Sequence, residues 1–97
     1  MHLVSVDFEF DPDKSASNQQ KHGIDFVEAQ RLWLDAGLVI LPSKYPMEER
    51  LLAIGLIDGR HWTAVFTERG ESVRIISVRR ARDNEREVYE RHEFGQS

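Results

Sequence analysis

Residues 49–82 read ERLLAIGLIDGRHWTAVFTERGESVRIISVRRAR, and this run decides the fold. Three apolar segments rich in β-branched and aromatic residues are separated by Asp58-Gly59 and by Arg69-Gly70. Asp-Gly between apolar runs is a strong hairpin signal, because the favoured two-residue turn needs positive φ at both positions. The spacing predicts a meander of three antiparallel strands over 49–57, 61–68 and 72–80. In the middle strand Trp62, Ala64 and Phe66 share a face by the two-residue period. The last strand buries Val73, Ile75, Ile76 and Val78 and delivers Arg74, Arg79, Arg80 and Arg82 with no acid among them. Strict alternation puts Arg74 and Arg80 on one face, and Arg79 joins them only through a twist or bulge.

Upstream, residues 3–10 alternate between Val4, Val6, Phe8, Phe10 and polar residues, which predicts a half-buried strand. Asp11-Pro12 reads as an N-cap followed by proline at the first helical position, and Gly23 as the residue that ends the helix. This helix over 12–22 has almost no apolar side chains, so a polar contact must dock it. Lys14, Asn18, Lys21 and His22 fall close to one face by their spacing. Asp25 and Glu28 form a capping box for a second helix over 26–35, with Trp33 in its core stripe. A short strand over 38–41 stops at Pro42, and residues 43–48 read as a loop. A last helix over 83–92 turns Val88 and Tyr89 inward. The expected class is α+β: one antiparallel sheet with two N-terminal helices and one C-terminal helix, in the order β-α-α-β-β-β-β-α.

Ninety-seven residues suit a single domain, with 93–97 expected as a frayed tail. No apolar run approaches bilayer length, and the N-terminal residues show no signal-peptide pattern, so a cytoplasmic protein with no membrane partner is expected. The absence of cysteine excludes disulfides and thiolate chemistry. The net charge of −4 weighs against general nucleic-acid affinity, yet Arg69, Arg74, Arg79, Arg80 and Arg82 crowd one stretch against Glu71 alone. Such a patch can draw a polyanion over a short range.

The four histidines are scattered, no metal site is expected, and no glycine-rich phosphate loop is present. What remains suits phosphodiester chemistry without a cofactor. RNA brings its own nucleophile, the 2′-OH, so the protein must supply a proton acceptor, a proton donor and cations for the phosphate. Arginine fits the last role through its planar, permanently charged fork. Lys21, His22, Glu49, His61 and Tyr89 are the acid–base candidates. The plainer reading of Arg79 and Arg80 is ion pairing with Glu85, Glu87 or Glu90, and of His22 stabilisation by the helix dipole.

The run FDPDKSASNQQKHGIDFVEA, then EER, then DGRHWTAVFTERGESVRIISVRRARDNEREVYE resembles the BrnT family of bacterial ribonuclease toxins. Lys21-His22-Gly23, Thr67-Glu68-Arg69-Gly70 and Arg74-Ile75-Ile76-Ser77 followed by Arg79-Arg80 carry the resemblance. The chain departs from the family pattern at Val78, where alanine is frequent, and at Arg82-Asp83, where a Thr or Ser cap is common. The resemblance implies a RelE-like fold, RNA cleavage that arrests translation, and a ribbon-helix-helix antitoxin of the BrnA type, with DNA reached only through that antitoxin. On this expectation Lys21, His22, Arg74, Arg79 and Arg80 are catalytic, Lys14, Arg69 and Arg82 bind RNA, and Glu49 and Tyr89 are further acid–base candidates. The alternative class is a non-catalytic module that binds RNA or the antitoxin and acts in transcriptional autoregulation.

Overall fold

The predicted meander forms with both turns in place. The computed structural model describes residues 6–43 and 49–94, without the side chains of 93 and 94. Its elements are β1 (Asp7–Glu9), α1 (Pro12–His22), α2 (Phe26–Ala29), a 3-10 segment (Gln30–Leu34), β2 (Val39–Pro42), β3 (Leu51–Ile57), β4 (Arg60–Arg69), β5 (Ser72–Arg80) and α3 (Asp83–Phe94). Asp58 and Gly59 take φ values of 52° and 80°, the left-handed pair that a tight hairpin demands. The expected strand start at residue 3, the loop over 44–48 and the tail beyond Phe94 lie outside the described residues.

Three expectations need correction. The sheet is mixed rather than antiparallel: β1 pairs with β5 in parallel, Asp7 to Ser72 through Glu9 to Arg74, giving the order β1-β5-β4-β3-β2. Alternation along a strand encodes which face is buried but not which neighbour it takes or in what direction. The second helix is one α-helical turn that tightens into the 3-10 segment, so it is not continuous over 26–35. Asp35 ends it, its side chain accepting from the N–H groups of Gly37 and Leu56 at 2.8 Å each.

The third correction concerns β5. Val65 pairs with Ser77 while Phe66 pairs with Ile75, so the register passes over Ile76. One extra residue in a strand makes a bulge and reverses the parity of every side chain beyond it. Val73, Ile75, Val78 and Arg80 therefore share the face of Trp62, Ala64 and Phe66, while Arg74, Ser77 and Arg79 share the face of Thr63, Val65 and Thr67. Arg74 and Arg80 do not share a face. Arg79 is the one that joins Arg74.

Helices α1 and α2 and the 3-10 segment cover the first of these faces, where Ile24, Phe26, Ala29, Leu32, Trp62, Phe66, Ile75 and Val78 are buried together. Trp33 stands edge-on between Phe8 and Phe66 at 5.1 and 5.2 Å, a core role. Each large apolar side chain buried here contributes about 1.5–3 kcal/mol. Helix α3 packs on the opposite face, where Tyr89 meets Val39 and Ile54.

The polar helix α1 docks as its composition requires. Ser15 and Asn18 are its buried residues. Ser15 accepts from the Phe26 N–H at 2.9 Å. Asn18 donates to the carbonyls of Ile24 and Val78 at 2.8 and 2.9 Å and accepts from the Val78 N–H at 3.1 Å. Of the four residues expected on one face, only Asn18 is buried; Lys14, Lys21 and His22 are exposed.

Candidate functional site

The arginines of β5 divide between two faces, and the two groups differ in how far their charge is already spent. On the helix-covered face the Arg80 guanidinium lies 5.4 Å from the centre of the Trp62 ring. Trp62 is only 8% exposed, so it offers a fixed platform on which a planar cation stacks. The Arg80 Nε–H reaches the His61 carbonyl at 3.4 Å, a long bond that leaves the terminal nitrogens of the fork uncommitted by it. The same ring lines a cleft of about 390 Å³ together with Gly23, Ile24 and Ile57 and the charged side chains of Glu28, Asp58 and Arg60.

Gly23 ties that cleft to the end of α1. Its φ of 77° lets its N–H reach back to the Gln19 carbonyl and turns the chain sharply after the helix. Lys21 and His22 occupy the last turn immediately before it, where unpaired carbonyls favour positive charge. Both are exposed, and neither has a side-chain partner among the described residues. Arg31, on the 3-10 segment, binds both Asp58 oxygens at 2.7 and 3.0 Å and also Glu28. The guanidinium holds the Asp58 carboxyl below the usual carboxylate range. These bonds tie α2 and the 3-10 segment to the β3–β4 turn.

On the other face the cations are neutralised. Arg79 binds Glu85 through both terminal nitrogens at 2.8 Å, and Arg74 lies 3.7 Å from Glu9. Glu85 also accepts from the Thr63 hydroxyl at 2.9 Å and from the Arg82 N–H at 2.8 Å, reaching back to the start of α3 like the acid of a capping box. Burial pushes the Glu85 carboxyl up, but the bonds from Arg79, Arg82 and Thr63 outweigh it and bring the pKa down to about 2. Nearby, the His61 ring meets Glu90 at 2.7 Å and stands edge-on to Tyr89 at 5.3 Å. The Tyr89 hydroxyl donates to Asp35 at 2.8 Å. Burial raises the Asp35 carboxyl, and the N–H groups of Leu56 and Gly37 with the Tyr89 hydroxyl more than reverse this.

The residues expected at one site are thus dispersed. Arg80 stacks on Trp62, and Lys21 and His22 end the helix that leads into Gly23, while the cleft itself is lined by other residues. Arg74 and Arg79 lie across the sheet. Lys14 is exposed on α1, Arg69 is exposed at the β4–β5 turn, Arg82 is exposed before α3, and Glu49 is exposed ahead of β3. Tyr89 is buried on the side of α3 that faces the sheet. Sequence reasoning passed over Arg60 and Trp62 as parts of a site; their position beside the Asp58-Gly59 turn was the available signal. It also took Glu85 for one of several surface acids, whereas its place three residues after Arg82 marks it as a cap.

An arginine fork on a rigid ring can bind an oxyanion, and an exposed lysine and imidazole at a helix end can hold or move a proton. Among the described residues no helix is long and apolar enough to cross a membrane. Residues 10–85 match the family model described as ribonuclease toxin, BrnT, of type II toxin–antitoxin system. No curated protein matches the chain.

Proposed function

Because the chain belongs to the BrnT family of ribonuclease toxins of type II toxin–antitoxin systems, we propose that it cleaves RNA without a metal ion, at the Trp62 cleft. The 2′-OH attacks the adjacent phosphorus and the bond to the 5′ oxygen breaks. Charge that builds on the phosphate is met by Arg80 and Lys21, and His22 carries the proton that the 2′-OH loses or the leaving oxygen gains. The observation that carries this reading is the Arg80 fork seated on the buried Trp62 ring, at a cleft that opens one residue after His22. A seated arginine loses little further freedom when it grips a phosphate, which is where preorganised charge is most effective.

Arg74 and Arg79 take a different part in this proposal. Arg79 holds α3 through Glu85, Arg74 faces Glu9, and Arg69 adds an exposed cation at the β4–β5 turn. The partner that silences the toxin is a ribbon-helix-helix antitoxin of the BrnA type, through which the pair also reaches DNA; an acidic antitoxin segment suits the exposed Lys21, His22 and Arg80. Incubation of purified protein with RNA in EDTA tests the catalytic reading. Cleavage that survives chelation and falls by roughly 10²–10³ in Arg80→Ala and His22→Ala supports it. Intact RNA with the native protein, or equal cleavage by the folded variants, overturns it.

A further inference from the structure

We infer that the Trp62 cleft also reads a base, and that the base is guanine. This rests on the proposal that RNA binds at this cleft and deepens it to sequence preference. The cleft is within the size range of small-molecule sites, about 390 Å³. Its apolar surface comes from Ile24, Ile57 and Trp62, all buried, which suits the faces of a flat ring. Its charged surface is of two kinds, and their order is the informative feature. Glu28 on α2 offers an acceptor, and Arg60 at the start of β4 offers a donor fork.

The donor and acceptor pattern of the bases selects among them. A carboxylate oxygen pair needs two adjacent N–H donors, and only guanine presents them on its Watson–Crick edge, at N1 and N2. A guanidinium needs two adjacent acceptors, and guanine presents O6 and N7, the commonest specific arginine contact. Adenine and cytosine each bring a single amino group beside an acceptor, which a carboxylate repels. Uracil offers one N–H between two carbonyls. Arg31 sharpens the choice: it engages both oxygens of Asp58 but donates a single hydrogen bond to Glu28, so both Glu28 oxygens keep lone pairs to accept from the base.

The test uses free nucleotides, so that base recognition is read apart from cleavage. 5′-GMP, AMP, CMP and UMP are titrated against the full chain while the amide resonances of Gly23, Glu28 and Arg60 are followed. GMP is expected to bind about tenfold more tightly than the other three, the discrimination of one good bidentate pair. Glu28→Gln puts a donor where two donors arrive and should erase the preference, and Arg60→Ala should reduce it. Four nucleotides bound alike, or a preference unchanged in both variants, overturn the inference. The two readings fail separately. A GMP preference with undiminished cleavage by Arg80→Ala removes the catalytic assignment alone; loss of cleavage in Arg80→Ala with no base preference removes the guanine pocket alone.

Discussion

Asn18 grips Val78 by both polar groups of its backbone, donating to the carbonyl at 2.9 Å and accepting from the N–H at 3.1 Å. It stands in for a strand. Strand β1 stops pairing with β5 at Arg74, and beyond the Ile76 bulge the edge of β5 would otherwise meet a helix with its ladder groups unsatisfied. A single carboxamide completes that edge and, through Ile24, fixes the chain just past the helix end. Asn18→Leu fills similar space but strands three buried backbone groups. At about 1–3 kcal/mol for each unsatisfied group, the loss should reach about 3 kcal/mol or more. Urea denaturation measures it, and a loss under about 1 kcal/mol would falsify the strand-substitute role.

Glu85 predicts an acid limb in the stability profile. Its carboxyl titrates ordinarily near 4.5 and in the fold near 2. A depressed folded value means stability that is complete above about pH 4.5 and is lost as pH falls toward about 2, because only the unfolded chain takes up the proton in that window. The contribution is on the order of 2–3 kcal/mol. Native protein should therefore lose that much more stability than Glu85→Gln between pH 5 and pH 2. Parallel profiles for the two proteins would remove Glu85 as the acid-sensitive group.

The two faces of β5 predict unequal effects of its arginines on RNA cleavage. Arg80→Ala should cost roughly 10²–10³ in rate, and Arg80→Lys should recover only part, since an ammonium neither stacks on Trp62 nor offers a fork. Arg74→Ala, across the sheet, should cost clearly less than Arg80→Ala. Single-turnover cleavage of one labelled RNA ranks the three variants, and the reverse order of Arg74 and Arg80 would move the site to the other face.

Gly55 predicts a packing defect rather than a backbone one. A Cβ there would meet Asp35 Oδ2 at 3.0 Å and the Leu32 and Leu38 methyl groups at 3.1 Å. Gly55→Ala should cost about 1–3 kcal/mol. It should also loosen Tyr89, because Asp35 is the acceptor of its hydroxyl. Calorimetry gives the first effect, and hastened exchange of the Leu56 amide, which donates to the same Asp35 oxygen, gives the second; a neutral substitution would show that the 3-10 segment yields freely.

Much of this architecture is legible in the chain. Asp11-Pro12, Gly23, Asp25 with Glu28, and Asp58-Gly59 each act on backbone within a few residues, so they announce helix and turn boundaries locally. The prediction that a polar contact must hold α1 follows from its lack of an apolar stripe, though not that Asn18 supplies it. Parallel pairing of β1 with β5 is invisible because it joins segments more than 60 residues apart with no local mark of direction. The bulge left a faint one: the buried Val73, Ile75 and Val78 step by two and then by three, a slip that strict alternation overlooks. The separation of Arg74 from Arg80 follows from that slip alone. Arg60 and Trp62 were legible as strand residues and illegible as cleft residues, since the cleft exists only once α1 and α2 fold over them.

The extra residue at Ile76 makes the distribution of charge on β5 a matter of counting. Loss of that one codon in frame would let Ser77 follow Ile75 in an unbroken ladder, with Ser77 still opposite Val65 and Arg80 still opposite Trp62, so every arginine would keep its station. Straightening the strand with Ile76 retained is what would exchange them, setting Arg79 opposite Trp62 and Arg80 opposite His61. The strand therefore tolerates the loss of its one unpaired residue better than it tolerates pairing it, since a straightened strand would carry its full complement of cations with Arg79 and Arg80 each at the wrong address.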